Sequence, residues 1–187
     1  MDIDGIKKYL DEGSEIRGKL DREKILYLGE AISRTFKEGR KIILFGNGGS
    51  AADAQHIAAE FVGRFERERK PLPAIILHGN SSSVTAIGND YSYDDTFSRQ
   101  IEAFAQPGDL VIALSTSGNS ENVVRAVKSA IKIGCKIFGI TGSNGGKLNG
   151  MIDDRNLIKI PSTRTSYIQE STIAIGHIVS KIVEDNL

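Results

Sequence analysis

Two of the three histidines in the chain stand in company that could move protons or hold a metal ion. His56 and Glu60 are four residues apart, so on a helix both face the same way. Gln169, Glu170 and His177 fall within one later segment of helical pattern. Imidazole, carboxylate and amide oxygen can all ligate zinc, and the first two can equally carry a proton between adjacent carbons. A lone His56–Glu60 pair is also what an ordinary surface hydrogen bond looks like. Its place one to two turns beyond a glycine-rich loop moves the balance toward a site. Gln169 and His177, eight residues apart, would lie about 12 Å apart along a helix axis. Ligands of one tetrahedral ion sit only about 3–3.5 Å from one another. Either both side chains stretch toward a point between them, or a neighbouring subunit supplies one ligand. His78 lacks such neighbours and reads as structural or loop-exposed.

Two loops have the composition of anion holders. Gly46-Asn47-Gly48-Gly49-Ser50 follows an apolar run and opens a helical pattern. Glycines let the backbone approach a ligand, and a helix N-terminus presents unpaired N–H groups to it. A tight strand–helix turn would use the same residues. Gly46-x-Gly48-x-x-Ala51 also fits a dinucleotide fingerprint, but that motif needs a carboxylate at the end of the second strand to hold a ribose. Here that strand ends Leu77-His78-Gly79, and Glu66 and Glu68 fall in the charged run Arg64–Lys70, which reads as a solvated helix end. No Gly-Lys-Ser/Thr sequence follows the glycines, so a P-loop is excluded as well. The second loop, Ser115-Thr116-Ser117-Gly118-Asn119-Ser120, places four hydroxyls in six residues before another helix. That is a neutral cradle, suited to a phosphate monoester that must leave after each turnover. Its plainer reading is turn formers with Ser120 as an N-cap.

The elements that must carry these loops alternate along the chain. Lys41–Phe45, Ala74–Leu77, Leu110–Leu114, Lys136–Ile140 and Leu157–Ile160 read as strands. Ser50–Phe65, Asp95–Phe104, Ser120–Ile133 and Ser166–Val183 read as helices. Ile42-Ile43-Leu44-Phe45 and Val111-Ile112-Ala113-Leu114 are apolar on both faces. This predicts an α/β, three-layer sandwich: a five-stranded parallel sheet between helices. Ile25, Leu28, Ile32 and Phe36 predict a further N-terminal helical extension. Ligands of such folds sit beyond the carboxyl ends of the strands, where both loops lie.

Composition narrows the partners. In 187 residues, 24 Lys plus Arg balance 24 Asp plus Glu, which argues against nucleic acid as the main ligand. Nothing approaches an 18-residue apolar run, and the first ten residues do not read as a secretory leader; a cytoplasmic protein with no membrane partner is expected. The single Cys135 cannot pair within the chain, and Gly134–Ile140 reads as a buried strand holding a packed thiol.

Four motifs in order resemble the sedoheptulose-7-phosphate (phosphoheptose) isomerase family of the sugar-isomerase (SIS) fold, over nearly the whole chain. They are Gly46–His56, Gly88-Asn89-Asp90, Ser115–Ser120 and Ile168-Gln169-Glu170. The resemblance implies one SIS domain over residues 1–187, whose helices within 1–40 pack in a homotetramer with active sites at subunit interfaces. It implies conversion of D-sedoheptulose 7-phosphate to a heptose 7-phosphate that supplies surface glycans. Carried over by position, Asn47, Gly48, Gly49, Ser50, Glu60, Asn89, Asp90, Ser115, Thr116, Ser117, Ser120 and Gln169 would bind substrate. His56, Glu60, Gln169 and His177 would hold one zinc ion, with Glu60 and His177 as the acid–base pair. A ligating carboxylate is a weaker base, so the two roles of Glu60 pull against each other.

Tyr167 stands where many family members have arginine, and Ser166 where some have an acid; contact of either with the sugar would alter substrate preference. The rival reading is a non-catalytic scaffold, since relatives of this fold bind a replication initiator or sense sugar phosphates. Relatives that bind the initiator look like this family with the Glu60-type and His177-type positions replaced, whereas this chain keeps both.

Overall fold

The structure, a computed structural model, describes residues 1–187. Five strands form one all-parallel sheet: β1 (Ile42–Phe45), β2 (Ala74–Ile76), β3 (Leu110–Ser115), β4 (Lys136–Gly142) and β5 (Leu157–Ile160), in the order β2-β1-β3-β4-β5. Register is set by pairs such as Ile43 with Val111 and Val111 with Ile137. Seven helices surround it: α1 (Ile3–Gly18), α2 (Arg22–Lys37), α3 (Gly49–Val62), α4 (Ser81–Asp90), α5 (Thr96–Phe104), α6 (Glu121–Ile133) and α7 (Thr165–Asn186).

The doubly apolar strands divide by the period of two. Ile42, Leu44, Leu110, Ile112, Leu114, Phe138, Ile140, Ile158 and Ile160 face one core with α2, α3 and α7. Ile43, Phe45, Val111, Ala113, Ile137 and Leu157 face the other with α5 and α6. The expected three-layer sandwich is therefore present, with both faces of the sheet covered.

The helices expected within residues 1–40 are α1 and α2, the second capped by Asp21, which accepts from the Lys24 N–H at 3.0 Å. Three readings need correction. Helix α4 went unread: none of its residues is buried, so it carries no apolar period to detect. The helix after the glycine loop ends at Val62 rather than Phe65, and Arg64–Lys70 is not a solvated helix end. It is a loop in which the Arg69 side chain is only 13% exposed, tied to a buried carboxylate described below. Cys135 lies just before β4 and is half-buried, not within a buried strand. Burial, and then the nearby Asp109 carboxylate, push its thiol up to about 11, so it stays protonated and inert at neutral pH.

Candidate functional site

At the carboxyl end of the sheet, α3, α6 and α7 begin without a side-chain cap. By contrast, α1, α2 and α4 open on Asp2, Asp21 and Asn80, each accepting from a first-turn N–H. Ser120 does stand at the N-cap of α6, but its hydroxyl faces Ser115 Oγ at 3.3 Å instead of capping. The N–H groups of Gly48, Gly49, Ser117 and Ser120 reach no acceptor in the chain. Donors left open at helix starts are what an anion needs. Around them lies a cavity of about 330 Å³, lined by Asn47, Gly48, Gly49, Ser50, Ser115, Thr116, Ser120, Thr165 and Gln169 with Leu114. It holds no charged side chain. A second hydroxyl-lined hollow, of about 220 Å³, opens beside Thr116 and Ser117.

The serine loop is rigid because the next loop backs it. Gly118 has φ +66°, and a Cβ there would collide with the carbonyl of Gly145, so only glycine fits. The Leu148 N–H donates to Gly118 O at 3.2 Å, and the Lys147 N–H to Asn119 Oδ1 at 2.9 Å. Within the loop, Ser117 Oγ accepts from the Asn119 N–H at 3.1 Å, and Ser115 Oγ from the Gly118 N–H at 3.2 Å. The Ser117 hydroxyl proton remains free for a ligand, and Ser115 and Ser120 share one bond that leaves one of their two hydroxyl protons free.

A side-chain clasp joins the two loops. Asn47 Nδ2 donates to Asn122 Oδ1, and Asn122 Nδ2 returns to Asn47 Oδ1, both at 2.9 Å. Tyr93 Oη adds a bond to Asn47 Oδ1 at 3.0 Å. Asn122 is 2% exposed. The amide of Asn47 is thus bonded at both ends, and it sets the spacing of the two loops. Sequence reasoning missed Asn122, Tyr93 and Thr165; an asparagine in the first turn of a helix carries no signal that it reaches across to another loop.

The proton-bearing residues meet one to two turns deeper. His56 Nε2 is 3.1 Å from Glu60 Oε1 and 3.3 Å from His177 Nε2. One ligand atom from each of the three lies within 4.8 Å of the others. Helices α3 and α7 run side by side in the same direction, since Gly49 faces Gln169 and Ile57 faces Gly176. A Cβ on Gly176 would overlap Ile57, so glycine here brings the two helices close enough for His56 and His177, the next residues on each, to touch. The separations of 3.1 and 3.3 Å match those of two ligands on one tetrahedral ion. The donor set of two imidazoles and a carboxylate suits zinc. This is a possible metal-binding triad. Gln169 sits with the other loop, its amide packed against Gly49 and lining the cavity.

Other residues lie apart. Asn89 and Asp90 are exposed at the end of α4, bonded to each other at 2.8 Å, and neither lines the cavity. Tyr93, a few residues on, is the segment's contact with the site. Tyr167 is 2% exposed; its hydroxyl donates to Glu12 Oε2 at 2.8 Å and its ring packs on Tyr9 with centroids 4.6 Å apart. It lines a larger hollow beside α1 instead of the cavity at the serine loop. His78 is half-buried with neither ring nitrogen partnered, and burial lowers its pKa. Asp53, on α3, has one oxygen buried without a partner; burial raises its pKa to about 6 against the opposing pull of His56.

Comparison with known proteins places these features. The SIS domain family matches residues 8–142. A protein of Thermoplasma acidophilum called a probable phosphoheptose isomerase is 51% identical over 179 residues, 96% of this chain and 97% of that relative. Among solved structures, a phosphoheptose isomerase from Francisella tularensis superposes with a TM-score of 0.93 at 31% identity, covering 98% of both chains. Another from Neisseria gonorrhoeae gives 0.91 at 36% identity, covering 97% of this chain and 98% of that one.

Proposed function

The chain belongs to the phosphoheptose isomerase family of SIS-domain proteins, and from that premise we propose that it converts D-sedoheptulose 7-phosphate to D-glycero-D-manno-heptose 7-phosphate, supplying heptose for surface glycans. The observation that carries this reading is the pairing of a neutral hydroxyl cradle with a His–Glu–His cluster further along the same helix. From Gly49 to His56 is about 10 Å along α3, the length class of an extended seven-carbon chain with its phosphate at one end.

In this reading Ser115, Thr116, Ser117 and Ser120, with the open N–H groups of Gly48 and Gly49, hold the phosphate. Ser50 and Gln169 line the path of the sugar. Asn47 contributes by fixing the loops, and Asn89 and Asp90 contact substrate only across a subunit boundary, since both are exposed on this chain. His56, Glu60 and His177, with Gln169, would hold zinc, which when bound polarises the sugar's carbonyl and hydroxyl oxygens. The reaction moves one proton between C1 and C2 of the open chain through an enediol. Glu60 takes the carbon-bound proton and His177 serves the oxygens, each then working in reverse. Glu60 offers two carboxylate oxygens, and only Oε1 is turned to His56. One oxygen can ligate while the other accepts the proton, which eases the conflict between its two roles.

The chain works as one domain in a cytoplasmic homotetramer, with α1 and α2 in the contacts. Supporting this, Ile3, Ile6 and Leu10 form an exposed apolar stripe on α1, 84, 50 and 63% exposed. No helix is long and apolar enough to cross a membrane. The test is incubation with sedoheptulose 7-phosphate, followed by NMR for the aldose signals. No product with or without added zinc would refute the assignment, and sedimentation showing a fully active monomer would refute the shared site.

A further inference from the structure

Glu184 stands two turns beyond His177 on α7 and takes no part in the site as described. Its side chain is 1% exposed. Its carboxylate accepts the backbone N–H groups of Phe65, Glu66 and Arg67, each at 3.0 Å. Burial alone would raise this carboxyl; the three N–H donors, followed by the charge of Arg69, outweigh it and hold it below the usual range. Arg69 Nε lies 3.3 Å from Glu184 Oε1, an ion-pair contact whose N–H is not aimed at the oxygen. The Arg69 guanidinium also donates to the carbonyls of Glu60, Phe61, Gly63 and Lys70. A seven-residue charged loop with no regular structure is thereby gripped from within.

The grip sets one apolar side chain. Phe65, whose N–H is the first that Glu184 accepts, lays its ring on the imidazole of His177, with centroids 5.7 Å apart and planes at 23°. Residues seven apart on a helix share a face, so Glu184 holds the loop directly over the face that carries His177. Broad rotation about the second side-chain torsion is ordinary for histidine; a ring stacked on Phe65 and met at its Nε2 edge by His56 cannot turn freely.

We propose that Glu184 is a positioning residue for His177: by gathering the Phe65–Arg67 N–H groups it seats Phe65 on the imidazole and keeps Nε2 aimed at His56 and Glu60. The inference rests on His177 acting in the site, but its test does not need turnover. The intact protein, labelled at histidine, is read by NMR in the absence of substrate. A stacked aromatic ring shifts the His177 ring protons upfield, and Phe65→Leu identifies that shift by removing it. Glu184→Gln, which keeps an acceptor but loses the charge, is expected to move the same signals in the same direction and to leave those of His78 in place. Turnover of sedoheptulose 7-phosphate should fall by on the order of tenfold in each variant. The double variant should be no slower than the slower single one, because both act through one ring.

If folded Glu184→Gln keeps the parent's His177 signals, or if the two losses multiply, Glu184 is only a loop anchor and the proposal is overturned. Should Glu184→Gln fail to fold, Glu184→Asp keeps the charge but draws the acceptor back from the Phe65–Arg67 N–H groups: displaced His177 signals support the proposal and unmoved ones overturn it. A parent protein without isomerase activity would sink the functional reading, while the spectra would still decide the role of Glu184.

Discussion

Replacing Gly176 by alanine tests whether close helix approach builds the His–Glu–His cluster. A Cβ at this position would lie 2.7 Å from Ile57 Cδ1 and closer still to Ile57 Cγ1, where carbon atoms settle at about 3.5–4.0 Å. Ile57 is 3% exposed and β-branched, so its rotamer is held by the helix it sits on. The strain is therefore relieved by parting α3 from α7 by about 1 Å, at an overpacking cost of roughly 1–3 kcal/mol. Alanine recovers about 0.5–1 kcal/mol over glycine inside a helix, leaving a net loss of roughly 0–2.5 kcal/mol, small enough for the protein to stay folded. The consequence falls on the site. His56 and His177, now 3.3 Å apart, would exceed the spacing of two ligands on one ion, and zinc affinity should drop by roughly 10- to 100-fold. Competition with a chromophoric chelator measures this beside a thermal melt. Adding Ile57→Ala removes the colliding atoms and should restore zinc affinity even while the melting temperature falls further. A folded Gly176→Ala protein that binds zinc as tightly as its parent would refute the reasoning.

Three further outcomes are expected. Ser120→Ala removes a hydroxyl bonded only to Ser115, and should weaken substrate binding by roughly 10- to 150-fold, the worth of a hydrogen bond to a charged group. Ser117→Ala also deletes the bond to the Asn119 N–H, so unchanged kinetics in the double variant would remove the phosphate role from this loop. Glu60→Gln and His177→Gln should each lower turnover by about 10²–10⁴-fold; zinc content measured alongside separates a lost proton carrier from a lost ligand, and parent rates in both would end the mechanism. Asn122→Ala leaves Asn47 Nδ2 and the Val123 N–H unpaired and Asn47 Oδ1 with Tyr93 alone, which should cost about 1–3 kcal/mol in stability and raise KM more than it lowers kcat; an unchanged KM would show that the clasp does not set the loops.

What could be read from the sequence follows the range of each signal. Strands apolar on both faces, such as Ile42–Phe45, announce a covered parallel sheet, because alternate residues must meet two different cores. The His56–Glu60 pair and the two loops are local patterns too, and the structure puts them at one end of the sheet. Helix α4 had no such pattern, and its cap, Asn80 accepting from the Ser83 N–H, is a signal that any loop asparagine imitates. The run Arg64–Lys70 misled for a different reason. Its charges suggest water, yet three of its N–H groups go to a carboxylate more than a hundred residues away, and no local window holds both partners.

The spacing of Gln169 and His177 shows what topology adds to spacing. Eight residues on one helix leave one shared ion to a stretched reach or to a second subunit, and the neighbouring helix sets the two residues against different partners. Because α3 and α7 run in the same direction, the advance along one is matched by the advance along the other: Gly49 lies with Gln169, and the adjacent residues His56 and Ile57 lie with the adjacent residues Gly176 and His177. A substrate laid along this pair meets hydroxyls and open N–H groups at the helix starts and imidazoles and a carboxylate two turns further on. On the proposed reading, parallel packing turns two sets of residues, each unremarkable on its own helix, into a track with an anion end and a proton-transfer end. An antiparallel pair with the same residues would have set Gln169 beside His56, and would have separated His177 from both of its partners.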